Sequence, residues 1–282
     1  MKILRIGPAG EERPAIMDAA GRLYDISSIV PDITPETLAA GCLDTIAGLN
    51  PADLPPVEGS PRIGPPVHHP QKFIGVGLNY VDHAAELGLE RPAHPIIFSK
   101  QPSCICGPND DVLLPADATC ADHEIELGVV IGRVARRVSE AEALEHVAGY
   151  LLVNDVSERG WQLKYGGQWT KGKSFDTFGP IGPWLVTRDE IPDPHAIDLV
   201  LKVNGEVRQR GNTKDMFYSV AELVAHISHF MTLLPGDIIT TGTPAGVGGG
   251  MKPPKYLRAG DVMELSAPGL GTQRQHVRRL AE

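Results

Sequence analysis

The sequence predicts an α+β protein in which strands dominate. Three observations carry that prediction. Glycine (31) and proline (25) make up about a fifth of the 282 residues, which punctuates the chain too often for a helical bundle. Short apolar runs bounded by such residues recur throughout. Helix start signals are few, at Thr34, Asn79 and Ser219. The chain is long enough for a sizeable core, and 42% of its residues are hydrophobic.

Residues 3–6, 15–18 and 23–26 read as short strands separated by tight turns. A helix is then expected over 34–49, with Thr34 as N-cap and Pro35 in the first helical position, where its missing N–H costs nothing. Residues 51–70 hold seven prolines, and proline fixes φ and removes a donor. They are read as a semi-rigid linker, which divides the chain into a small β-rich segment, 1–68, and a main domain, 69–282. The main domain opens on a buried strand at 73–77. Asn79 is the expected N-cap of a short helix through Leu87 that Gly88 ends. Strands follow at 124–131 and 149–154. Residues 199–209 form a hairpin around Asn204-Gly205, the favoured pair for a type I′ turn. Ser219 and Glu222 make a capping box ahead of the stripe Leu223, Val224, Ile227 and Met231. A strand at 238–241 and a last hairpin, 262–266 with 272–277, complete the chain.

Charge and composition narrow the function. Thirty-five acidic against 26 basic residues give a formal charge of −9, which argues against a nucleic-acid partner. No apolar run approaches the roughly 18 residues of a membrane span. The N-terminal residues lack the apolar core of a signal peptide. Cys42, Cys104, Cys106 and Cys120 have no zinc-type spacing and are expected as reduced thiols in a cytoplasmic protein.

The sharpest local feature is Asp122-His123-Glu124-Ile125-Glu126-Leu127. Side chains alternate along a strand, so Glu124 and Glu126 share one face and Ile125 and Leu127 the other. Two carboxylates near a core repel unless one takes a proton or a cation sits between them, and oxygen ligands suit Mg²⁺, Mn²⁺ or Ca²⁺. The pair alone also fits a solvated edge strand. Asp155, ending the apolar run 151–154, would add a third acid from a second strand; a turn cap is the plainer role. If a helix begins at Asp155, Arg159 and Gln162 share its face. Arg159 would then neutralise Asp155 or grip a substrate carboxylate, with a surface ion pair as the alternative.

Residues 167–174, GQWTKGKS, match a phosphate-loop pattern literally. No strand precedes them and Pro180 stops a following helix, so Lys173 is better read as a partly desolvated cation beside an anionic ligand. His83 and Glu86, three apart on the short helix, form a dyad able to activate water, although such pairs are more often surface contacts. The run 240–248 exposes backbone N–H groups and the Thr243 hydroxyl as a cradle for a carboxylate, or makes an ordinary tight turn.

Taken in order, GLNYVDHAAE, HEIELGVVIG, LLVNDVSERGWQ, KGKSFDTFGPIGP, VNGEVRQ and PGDIITTGTPAGVG resemble the fumarylacetoacetate hydrolase family over roughly residues 70–270. The resemblance implies a mixed β-roll core, a homodimer and a divalent metal. It implies Glu124, Glu126 and Asp155 as metal ligands, Lys173 beside the substrate, and Arg159, Gln162 and Thr243 as substrate contacts. It places His83 and Glu86 on the lid helix of the shorter members. Residues 1–68 look like the small N-terminal domain of bacterial members. The upstream acidic ligand of the long branch has no counterpart here. The implied reaction is hydrolysis of a carbon–carbon bond in an acylpyruvate, with a 2,4-diketo-3-deoxy sugar acid (the L-rhamnonate or L-fuconate derivative) as substrate. The alternatives are decarboxylation of oxaloacetate on the same site and a metal-binding protein without activity.

Overall fold

A computed structural model describes residues 1–280. Strands outweigh helices, as composition predicts. The main sheet runs in the order Leu23–Asp25, Arg13–Met17, Lys2–Ile6, Gly179–Thr187, Val147–Asn154, Ile125–Ile131, Ile238–Thr240, Phe73–Gly77, Ile96–Lys100. Ile63–Gly64 pairs with Lys2–Ile6, and Ile105–Cys106 with Gly179–Thr187. A five-stranded sheet runs Glu206–Asn212, Asp198–Val203, Val262–Ala267, Gly271–Arg279, Val112–Leu114. Ala121–Asp122 and Ser157–Glu158 make a two-stranded ribbon.

Strand direction decides where chemistry can gather. Ile125–Ile131 is antiparallel to both neighbours, with Ile125 opposite Asn154 and Gly128 opposite Thr240. Phe73–Gly77 is parallel to Ile238–Thr240. The start of Ile125–Ile131 therefore meets the ends of three other strands. Every residue of Ile125–Ile131 and of Val147–Asn154 is buried, and their apolar side chains belong to one large core.

The N-terminal segment hydrogen-bonds into this sheet, since Lys2 and Ile3 face Val186 and Leu185. The division proposed at 68/69 thus has a continuous sheet across it. The helix expected over 34–49 is two helices, Pro35–Ala39 and Cys42–Ala47, because Gly41 takes a left-handed φ of 81° that ends the first. Thr34 caps as expected. Asn79 is not the cap of Val81–Leu87; that position is Tyr80. Instead the Asn79 amide donates to the carbonyls of Tyr218 (3.1 Å) and Thr241 (2.8 Å), tying two distant loops together. The capping box at Ser219 and the turn at Asn204-Gly205, with φ of 52° and 79°, form as read.

Candidate metal centre and active site

Strand register brings three acids together. Asp155 follows Val147–Asn154 directly, and its N–H donates to the Glu124 carbonyl (2.8 Å). Glu124 and Glu126 sit two apart on one face. One carboxylate oxygen from each of Glu124, Glu126 and Asp155 lies within 4.8 Å of the others, and all three residues are buried.

Two buried cations, Lys173 and Lys100, and the half-buried Arg159 face them. Lys173, in the short helix Thr170–Lys173, donates to Glu124 (2.5 Å) and Asp155 (2.6 Å). The Lys100 ammonium is 2.6 Å from Asp155 Oδ1 and donates to the carbonyls of Lys173 (2.5 Å) and Phe178 (3.0 Å). Arg159 lies 2.6 Å from Glu124 through Nη2, and its Nε donates to Asp122 (2.9 Å). Asp122 also accepts from the N–H groups of Gly248 (2.6 Å) and Gly249 (2.9 Å), which pins the glycine-rich loop to the site.

The electrostatics follow from this arrangement. Burial would push the Glu124 carboxyl up, but Lys173 and Arg159 hold it down, to about 2. Among the described residues no guanidinium or ammonium pairs with Glu126; burial first, then Asp155 and Glu124, push it well above the usual carboxylate range, and the charge of Lys173 offsets this only in part. The Glu126 carboxylate accepts from Thr240 Oγ1 and from the Gly242 N–H (2.8 Å). Burial would lower Lys173, but Asp155 and Glu124 raise it. The donor set fits a hard divalent cation. It is all carboxylate oxygen, four carboxylates face three cations once Asp122 is counted, and Asp155 Oδ1 is buried without a properly directed hydrogen bond.

Glu124, Glu126, Arg159 and Lys173 line a cavity of about 370 Å³, while Asp155 and Lys100 stand behind them. His83 and Glu86 stand on Val81–Leu87, with His83 Nδ1 3.1 Å from Glu86 Oε2. Glu86 Oε1 accepts from the Gly246 N–H (3.0 Å), so the helix is fastened to the glycine-rich loop. His83 lines the cavity with Glu124, Glu126, Arg159, Gln162 and Lys173.

Two expectations need correction. The helix after Asp155 begins only at Arg159 and runs Arg159–Leu163, because Ser157–Glu158 is held as a strand by Ala121–Asp122. Asp155 is therefore not on its face, and Arg159 pairs with Asp122 and Glu124 instead; its Nη1 donates to Gln162 Oε1 (3.0 Å). Thr243 lines the cavity, but its hydroxyl donates to the Ile125 carbonyl (2.9 Å) and accepts from Gln209 (2.7 Å). That proton is spent inside the protein rather than offered to a carboxylate.

Sequence reasoning gave Lys100 and Asp122 no role. Asp122 stands two residues before Glu124, and that adjacency was the available signal. Lys100 ends an apolar run, where a lysine ordinarily reaches solvent.

Residues 72–278 match the family model described as "Fumarylacetoacetate (FAA) hydrolase C-terminal". A protein of Burkholderia lata, provisionally named as a hydrolase, is 56% identical over 279 residues, covering 99% of each chain. The fumarylacetoacetate hydrolase of Exiguobacterium antarcticum is 38% identical with a TM-score of 0.88, over 99% of this chain and 100% of that one. Maleylpyruvate hydrolase from Sphingobium sp. SYK-6, solved with manganese(II) and pyruvate, is 28% identical with a TM-score of 0.82, over the whole of both chains. The mixed sheets, the motif order and these matches converge: the chain belongs to the fumarylacetoacetate hydrolase family.

Proposed function

We propose that the protein is a divalent-metal-dependent hydrolase that cleaves the carbon–carbon bond of an acylpyruvate and releases pyruvate. The observation that carries this reading is the Glu124, Glu126 and Asp155 cluster, whose two glutamates line a cavity together with His83, the imidazole that Glu86 orients. Glu124, Glu126 and Asp155 would hold Mg²⁺ or Mn²⁺. When bound, such a cation supplies Lewis-acid polarisation of the 2-keto acid oxygens.

The remaining steps belong to the chain. Glu86 holds His83 through Nδ1, which leaves Nε2 to take a proton from water as that water adds to the C4 carbonyl. The C3–C4 bond breaks, and its electron pair passes to the pyruvyl fragment as an enolate. The positive Lys173 Nζ stabilises that charge, and the proton returned to C3 gives pyruvate and the free carboxylic acid. Arg159 and Gln162 line the same cavity, which supports assigning them to contact the substrate. The small N-terminal segment 1–68, a cytoplasmic location and a homodimer are parts of the same reading; light scattering checks the dimer.

The test is a panel of acylpyruvates and oxaloacetate with Mg²⁺ and with Mn²⁺, reading pyruvate. A 2,4-diketo-3-deoxy sugar acid of the L-rhamnonate or L-fuconate type forms the polar end of the panel. Glu124→Gln should cut release by more than about a hundredfold. His83→Ala should cost about 10²–10⁴-fold in hydrolysis. Decarboxylation of oxaloacetate needs no attacking water, so turnover of oxaloacetate alone, unchanged by His83→Ala, would replace hydrolysis with a lyase. Normal acylpyruvate turnover by either variant would overturn the assignment.

A further inference from the structure

We infer that the acyl group this enzyme accepts is an apolar chain or ring, rather than a polyhydroxylated or a second acidic tail. The inference rests on the hydrolase reading for the placement of the keto-acid head, and on the far wall of the cavity for the tail.

The lining of the cavity divides by chemistry. Its charged groups are Glu124, Glu126, Arg159 and Lys173, all at the acid end, with His83 and Gln162 beside them. The rest of the lining is chiefly apolar, with Leu78, Leu87, Leu89, Phe98, Leu163 and Trp169, and its only other side-chain hydroxyls are those of Thr243, already engaged by Ile125 and Gln209, and Tyr256. Phe98 joins the two sets, because its ring centroid lies 5.2 Å from Lys173 Nζ and 5.4 Å from the Trp169 ring. The two rings are seated on bare backbone. A Cβ on Gly75 would stand 2.1 Å from Phe98, and one on Gly77 2.2 Å from Trp169. The glycines of Phe73–Gly77 thus admit two aromatic faces where any side chain would expel them.

The cations of the lining are both committed. Arg159 is divided between Asp122, Glu124 and Gln162, and Lys173 between Glu124 and Asp155. A tail carboxylate would therefore lie against leucine and tryptophan with no cation to meet it. Hydroxyls there would lose water without a partner, each at roughly a tenfold or greater cost in affinity. An alkyl or aryl tail would instead cover part of Leu87, Leu89 and Leu163, which line the cavity and are 43%, 49% and 58% exposed in all.

The probes are saturated 2-oxo acids, which share the head but cannot be cleaved: pyruvate, 2-oxobutanoate, 2-oxohexanoate and 2-oxooctanoate. 2-Oxoglutarate and 2-oxo-3-deoxygluconate serve as the polar tails. Binding is measured by calorimetry with Mg²⁺ present, and pyruvate release from acetylpyruvate is measured on the same preparation. Affinity should rise about fourfold per methylene over the first members, and the polar tails should bind no tighter than pyruvate. Trp169→Ala should flatten the slope of affinity against chain length. Leu163→Ser, at an exposed site that does not hold the core, should lower it as well. A flat series, or 2-oxoglutarate or 2-oxo-3-deoxygluconate as the tightest ligand, overturns the inference. The slope without pyruvate release leaves the tail pocket standing and sinks the hydrolase reading; release without the slope does the reverse.

Discussion

Two charge clusters in this molecule, one half-buried and one buried, invite comparison. Near the N-terminus, Arg5 forks onto Asp32 (2.6 and 2.9 Å), while Arg62 reaches Glu12 (2.7 Å) and Asp110 (2.6 and 2.8 Å). In the centre, Asp122, Glu124, Glu126 and Asp155 face Lys100, Lys173 and Arg159. Each cluster has one carboxylate more than it has cations. The first resolves its surplus through water, since Asp32 and Asp110 are partly exposed and planar guanidiniums occupy both oxygens of each. The second cannot. Its acids are buried, its principal cations are ammonium point charges, and Glu126 is driven toward its protonated form. Buried charge alone therefore does not mark a site. A buried carboxylate left to hold a proton beside a cavity does, because a divalent ion could displace that proton and would still leave positive charge for an anionic ligand.

The sharpest way to break this comparison is to remove a cation from each cluster. Lys100→Met strands Asp155 Oδ1 in the core and removes the donor to the carbonyls of Lys173 and Phe178. The expected loss of stability is about 3–5 kcal/mol, read as a lowered urea midpoint without metal. A loss below about 1 kcal/mol would mean that Lys100 is not what holds Asp155. Arg62→Ala opens a partly exposed network, so solvent screening limits the loss to about 1–2 kcal/mol, and kcat on the best acylpyruvate should stay unchanged. A fall in kcat would couple the two clusters and end their separation into structural and functional.

The legible parts of the molecule were those written in adjacent residues. The two-residue spacing of Glu124 and Glu126, the capping box at Ser219 and the turn at Asn204-Gly205 are local, and each formed as read. The break at Gly41 was less so, because its neighbours on both sides favour helix and one left-handed φ decides the matter. Hidden entirely were features fixed by distant pairing. Lys2–Ile6 joins the main sheet through Val186 and Leu185, far along the chain. Lys100 is buried only because Asp155 and the 173–178 turn close over it. Asp122 acquires its partners from a loop more than 120 residues away. The site's acids were thus visible in the sequence, while the groups that hold them in place were not.

The smallest effect sharpens the N-terminal half of the comparison. Burial would raise the Glu12 carboxyl, but the hydrogen bond from Arg62, with the charges of Arg5 and Arg62, holds it below its unfolded value near 4.5. A group lowered on folding contributes stability that is fully present above the unfolded value and is lost as pH falls through the folded one. The difference in urea midpoint between wild type and Glu12→Gln should therefore be constant from pH 7 down to about 5 and shrink below 4.5. Its size should be about 1 kcal/mol or less, because Arg62 is open to solvent on one side. A gap that widened as the pH fell would reverse the sign, and would mean that Glu12 is destabilised by its burial rather than held by its arginines.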